Sequence, residues 1–195
     1  MEGKQDRRIR KTRTLLRKGL AELMCKKRVQ DITVREIAEL CDINRSTFYL
    51  HYKDVFDMVE QIENELLGEF QEIMECCTPE QIENNPRAPL TKLFSFLHDN
   101  ADITQAFIGP NGDLAFVNLL KNEVSERCVN IWRDRQMARN TEHLPYYAAY
   151  VVSGCVGLLE AWFKGGLAES AEEIAVFAED AICSTIGVQP RKAAP

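Results

Sequence analysis

Apolar residues along the chain recur three and four positions apart, in runs separated by short polar or proline- and glycine-bearing breaks. The first stripe, Leu15, Leu16, Gly19, Leu20, Leu23 and Met24, predicts a helix from about Asp6 to Lys27. Val34, Ile37, Ala38 and Cys41 predict a second helix, and Ile43, Phe48 and Tyr52 a third. From Asp54, a suitable N-cap, a longer helix carries Phe56, Val59, Ile62, Leu66, Leu67, Phe70 and Ile73. The segment Cys76 to Pro89 holds Pro79, Pro86 and Asn84-Asn85 and reads as a surface loop. Leu90, Leu93, Phe94 and Leu97 open the next helix, and Ile103, Phe107 and Ile108 form a shorter one. Gly109-Pro110-Asn111-Gly112 must then turn the chain, and Asp113 caps a long helix bearing Phe116, Val117, Leu120, Val124, Cys128, Ile131 and Trp132. Leu144 to Leu159 contains no charged residue, and Ser170 with Glu173 forms a capping box for a last helix, Ala171 to Ile186. The expected class is all-α.

Ile32 to Lys53 is the most informative stretch. Thr33 and Glu36 form a capping box, Asp42 suits a left-handed turn position, and Asn44 can cap the following helix, so the expectation is helix, turn, helix. The outward residues of the second helix, Asn44, Arg45, Ser46, Thr47, Tyr49, His51 and Lys53, place donors for base edges early and donors for phosphates later. A helix entering a major groove by its N-terminal end needs that order. A solvated helix in a small bundle, with Tyr49 and His51 at its rim, is the other reading of the same spacing.

The run from Thr33 to Lys53, TVREIAELCDINRSTFYLHYK, resembles the DNA-binding domain of the tetracycline-repressor (TetR) family of transcription regulators. With its flanking helices the likeness covers about residues 8 to 65. It implies an N-terminal three-helix DNA-binding domain at about residues 1–53 and a helical regulatory and dimerisation domain at 54–195. Positional carry-over of the family's DNA contacts gives Thr33, Arg35, Arg45, Ser46, Thr47, Tyr49 and His51. Ser46 stands where many members have Gly, and Asp42 where Gly usually makes the turn. After Tyr52 the common Lys-x-Lys-Glu-x-Leu is replaced by Lys53-Asp-Val-Phe-Asp-Met58; Val55 cannot hold a phosphate, so Lys53 serves alone. The flanked turn FIGPNGDLAF resembles a C-terminal regulatory domain found in one branch of the same family.

Charge sharpens this picture. The net charge is −6, yet residues 1–53 hold 14 Lys+Arg against 7 Asp+Glu, and residues 54–195 hold 10 against 23. A basic N-terminal segment is the electrostatic footprint expected for phosphate binding. Arg7, Arg8, Arg10 and Lys11 precede the first stripe and either reach DNA or form a solvated terminus. The odd cysteine count of 7 lacks C-x-x-C spacing, and no signal peptide precedes it. Reduced thiols in a cytoplasm are therefore expected, with Cys41, Cys128, Cys155 and Cys183 as small hydrophobes. A redox role for Cys76-Cys77 is the minor alternative.

Within the C-terminal region the helix from Leu144 is apolar on every side, through Tyr146, Tyr147, Tyr150, Val151, Val152, Cys155, Val156, Leu158 and Leu159. Pro145, Ser153, Gly154 and Gly157 interrupt it and Glu160 ends it, short of the roughly 20 apolar residues of a membrane span. No membrane partner is expected. One face then packs on its own subunit and another on a partner, with Gly154 and Gly157 allowing close approach. Val152, Val156, Leu159, Phe177 and Ile182 are the candidates for a homodimer interface, in the four-helix arrangement that the family resemblance implies. That resemblance also implies an effector pocket, for which Phe94, Phe116, Trp132, Tyr147 and Tyr150 are candidates, although for any single one of them core filling is the stronger reading. His51, His98 and His143 lack metal-ligand spacing, and no nucleophile or phosphate-loop motif occurs, so neither cofactor, metal nor catalysis is expected. The expected function is operator-specific transcription regulation, as a repressor released by a small molecule. The contrasting class is a helical ligand-binding or enzymatic protein whose helix-turn-helix only packs.

Overall fold

The computed structural model describes residues 2–76, 78–85, 87–134 and 141–186. Every regular element among them is helical: α1 (Glu2–Met24), a 3-10 turn (Val29–Asp31), α2 (Val34–Leu40), α3 (Arg45–Tyr49), α4 (Val55–Cys76), α5 (Pro79–Asn84), α6 (Arg87–Asp99), α7 (Ala101–Ile108), α8 (Leu114–Asp134), a 3-10 turn (Thr141–His143), α9 (Leu144–Lys164) and α10 (Ala171–Ile186). No helix among these residues is long and apolar enough to cross a membrane.

Most helix starts follow from the caps visible in the sequence. Thr33 Oγ1 accepts from Glu36 N at 3.3 Å while Glu36 accepts from Thr33 N at 3.0 Å. Asp54 Oδ1 accepts from Asp57 N, Asp113 Oδ1 from Ala115 N and Phe116 N, and Ser170 and Glu173 complete a second capping box. Each of these bonds satisfies a backbone donor that a helix start leaves without an intrahelical partner. The loop expected over 76–89 is a correction, since Pro79 opens α5 and Pro89 is the third residue of α6. Proline is compatible with a first helical turn, where its missing N–H leaves no bond unmade. Asn85 supports the second start, its Oδ1 accepting from Ala88 N at 3.3 Å.

The chain forms two compact units, residues 1–68 with 100–116, and residues 69–99 with 117–195. In this part of the chain their division falls inside α4, at 68/69, and not at the expected 53/54, which lies in the link between α3 and α4. In the first unit α1 packs on α2 and α7. Leu16, Leu20, Ile37, Phe48, Met58 and Ile103 are fully buried there. Gly19 permits the approach of α1 to α2, for a Cβ at that position would lie 2.5 Å from Cys41 Sγ.

In the second unit α10 packs on α6 and α9. Arg87 of α6 donates to Glu179 of α10 at 2.7 Å, and that carboxylate is 3% exposed, so the guanidinium compensates a charge buried between two helices. Phe94 meets Trp162 edge to face at 6.2 Å between centroids, and the Trp162 indole donates to the Glu169 carbonyl at 3.0 Å.

Candidate nucleic-acid interface

α2 and α3 are joined by a turn in which Asp42 adopts φ 50°, the left-handed conformation its short polar side chain tolerates. Asn44 Oδ1 then accepts from Ser46 N at 3.0 Å and starts α3 at Arg45. Phe48 fixes the rotation of this helix: it is fully buried, edge-on to Tyr49 at 5.7 Å and tilted against Tyr52 at 5.6 Å. Tyr52 is itself buried, with Arg13 Nε donating to its hydroxyl at 3.3 Å and the Arg13 guanidinium 5.7 Å from its ring. Arg13 also pairs with Glu65, which ties α1 to α4 behind the helix.

With Phe48 inward, Arg45, Ser46 and Tyr49 face solvent and Thr47 is half-buried. His51 is half-buried too; burial, and then the charge of Arg13, push its pKa down, so the imidazole is neutral at pH 7. Lys53 is exposed, and its backbone N–H is held by Asp57 at 2.8 Å. Arg35 is exposed and donates to Glu39 at 2.6 Å, leaving further guanidinium donors. Thr33 differs from the others because its hydroxyl donates to Glu36 at 2.8 Å and accepts from the Glu36 amide. Lys27 at 2.6 Å, and then Thr33, lower the Glu36 pKa to about 2, so this start of α2 is an ionised, fully engaged cap. A residue that selection by polar donors passes over is Leu50, the C-cap of α3, which is 82% exposed.

The basic charge is local to α1–α3. The 14 Lys+Arg of residues 1–53 meet 7 Asp+Glu there, but residues 54–68 add 5 acids and residues 100–116 add 2, with no base, so the first unit as a whole is neutral. Four of these arginines, Arg7, Arg10, Arg13 and Arg17, line a cleft of about 600 Å³ beside Tyr52.

The second unit contains an apolar cavity of about 130 Å³ walled by Met74, Ile82, Pro89, Leu90, Leu93, Val124, Cys128, Ile131, Trp132, Ile182 and Cys183, with Arg127 and Glu179 at its boundary. Of the pocket candidates only Trp132 lines it. Phe94 is buried against Trp162, Tyr147 is packed against the core cluster that contains Trp132, Phe116 is tilted against Phe107 in the first unit, and Tyr150 is 70% exposed. Burial drives the thiol pKa of Cys128 up to about 12, with Cys155 adding to the shift, and that of Cys155 to about 11. These cysteines behave as hydrophobes. Cys77 and the Cys76 side chain lie outside the described residues, as does the tail after Ile186.

α9 is buried on one side only. Val152 and Leu159 are inside their own chain, which removes both from a surface open to a partner, while Val156 and Ile182 are half-buried and Phe177 is 59% exposed. The open side of α9 carries Tyr146, Tyr150, Ser153, Gly154 and Gly157, and a Cβ on either glycine would meet nothing within 4 Å. Among the described residues no cluster of side chains is suited to holding a metal ion.

A TetR-type family model described as "Transcriptional regulator C-terminal region" matches residues 84–182, just over half of the chain. No curated protein matches the sequence. The fold is similar to that of a TetR transcriptional regulator from Streptococcus agalactiae, with TM-score 0.58 and 16% identity over 93% of this chain and 99% of that one. NalD from Pseudomonas aeruginosa, described as the secondary repressor of the MexAB-OprM multidrug efflux pump, gives TM-score 0.57 and 16% identity over 91% and 98%. DhaS, described as a dihydroxyacetone kinase operon activator, gives TM-score 0.50 and 14% identity over 90% and 96%. At these identities the likeness is one of fold. The family match, the all-helical architecture and the capped, anchored helix-turn-helix agree: the chain belongs to the TetR family of transcriptional regulators.

Proposed function

We propose that the protein is an operator-specific regulator that binds double-stranded DNA as a homodimer, in the cytoplasm, and leaves its operator when a small molecule occupies the second unit. The observation that carries this reading is α3. It is a short helix whose rotation is fixed by buried Phe48, so that Arg45, Ser46 and Tyr49 are presented outward on a locally basic segment. Arg45 suits base edges; Lys53, beyond the helix, suits a phosphate. Thr47 and neutral His51 can hydrogen-bond to base or sugar, and Arg35 and Thr33 lie at the start of α2 for backbone contacts. Thr33 would have to release its cap to donate.

The open side of α9, which carries no charge between Leu144 and Leu159 and holds Gly154 and Gly157, supports close approach of a second copy, assisted by exposed Phe177. The cavity beside Trp132 supports an effector that is small and apolar. Its volume of about 130 Å³ is near that of a cavity of about 150 Å³ known to accept benzene. Repression is the sign we propose; similar folds include one described as a repressor and one as an activator, so a reporter fused to the bound promoter decides it.

Selecting fragments of the source genome with the purified full chain tests the reading. One discrete palindromic site should be enriched and released by an apolar ligand, and the operator should weaken that ligand by the same factor. Failure to retain any fragment at low salt would leave a helical ligand-binding protein whose helix-turn-helix only packs.

A further inference from the structure

Leu50 is the most exposed large apolar side chain among the described residues, and it lies at the end of the helix proposed to read DNA. As the C-cap of α3 it keeps helical dihedrals, φ −72° and ψ −17°. Two helical steps of about 100° separate it from Phe48, so it projects from the side of α3 opposite the buried anchor. Ser46, one turn earlier, shares that outward side. The five residues of α3 rise only about 7.5 Å, less than the roughly 12 Å width of a major groove, so a groove that admits Arg45 also admits Leu50.

Leucine has nothing to give a phosphate or a polar base edge. The apolar group that a major groove presents is the 5-methyl of thymine. We propose that Leu50 is a specificity-determining residue that packs on a thymine methyl, fixing a T·A pair and its orientation at one position of each operator half-site. The inference rests on the DNA-binding reading above. It adds a base selected by burial of apolar area to the bases selected by hydrogen bonds, and it explains why a side chain that prefers to leave water stands fully in it.

The test uses an operator fragment selected by the full chain, with its thymines replaced one at a time by deoxyuridine. That change removes the methyl and keeps the pairing and the hydrogen-bonding groups. Wild-type protein should lose about three- to fourfold in affinity at one thymine per half-site, and about tenfold when both half-sites are changed. Leu50→Ala, expected to melt like wild type because the side chain is exposed, should bind the thymine and deoxyuridine operators equally. If the fragment is bound but no deoxyuridine costs affinity, or Leu50→Ala keeps the wild-type loss, the role of Leu50 is overturned and DNA binding stands. If no fragment is bound, both readings fall together.

Discussion

The outward sides of α3 and α9 are both uncovered in the single chain and both carry hydroxyls, but they differ in charge, in glycine content and in length. α3 presents Arg45, Ser46 and Tyr49 on five residues locked by Phe48, whereas α9 presents Tyr146, Tyr150, Ser153, Gly154 and Gly157 on a helix of 21 residues. Charged and hydroxyl donors on a short rigid helix suit phosphates and base edges, which are met by hydrogen bonds at fixed positions. Tyrosines beside two glycines on a long helix suit another helix, where stabilisation comes from close packing and released water. Exposure alone therefore does not assign a partner; the residue types on the exposed side do.

The contrast predicts that the two regions fail differently. Phe48→Ala removes the fully buried anchor of α3 and should destabilise the first unit by about 3–5 kcal/mol. Operator binding should disappear while sedimentation still reports the dimer. Loss of the dimer together with DNA binding would mean that the two regions are not separable in this way.

Phe177→Glu should do the converse. The residue is exposed in the chain, so the monomer should fold with an unchanged helical signal. Association should weaken by ~2 kcal/mol or more, because the new carboxylate would lose water without gaining a partner. Sedimentation across a concentration series reads the shift; a dimer as tight as wild type would put the interface elsewhere.

A smaller effect distinguishes the interior of the first unit from its surface. Glu63 Oε1 is buried without a hydrogen-bond partner among the described residues, and burial, followed by the charges of Asp113 and Glu60, raises its pKa to about 7. A carboxyl whose folded pKa lies above its unfolded value binds more protons in the folded state. Stability therefore falls as pH rises from about 4.5 to about 7, the interval between the two values. Glu63→Gln should raise stability by about 1 kcal/mol at pH 8, after allowance for solvent screening, and change it little at pH 4. Thermal melts at the two pH values check the sign; an equal gain at both would exclude the carboxyl's titration as the cause.

Local features were legible in the sequence, and tertiary ones less so. Thr33–Glu36, Asn44, Asp54, Asp113 and Ser170–Glu173 all form the capping bonds expected of them, since a cap links residues only two or three apart. Pro79 and Pro89 misled because the same ring that ends a helix also fits its first turn. The sequence does not separate buried Val152 and Leu159 from exposed Tyr150 and Gly154, for an apolar pattern all round a helix has no preferred side. Phe116 and Trp132 look alike as pocket aromatics, yet they belong to different compact units, because the boundary between them falls within α8. Leu50 is not legible from sequence, because a lone apolar residue among donors reads as filler until its exposure is known.

In the proposed complex α3 reads bases at its beginning and Lys53 meets phosphate beyond its end. Binding of wild type, Arg45→Ala and Lys53→Ala to the selected operator and its single-base variants, across a salt series, tests it most directly. Arg45→Ala should relax the preference at one position per half-site, where a bidentate contact to guanine discriminates by roughly 1–3 kcal/mol. Lys53→Ala should weaken every sequence alike and lower the magnitude of the salt slope by about 1 per subunit. A uniform loss from Arg45→Ala together with altered base preference from Lys53→Ala would contradict the account, because α3 would then lie reversed in the groove.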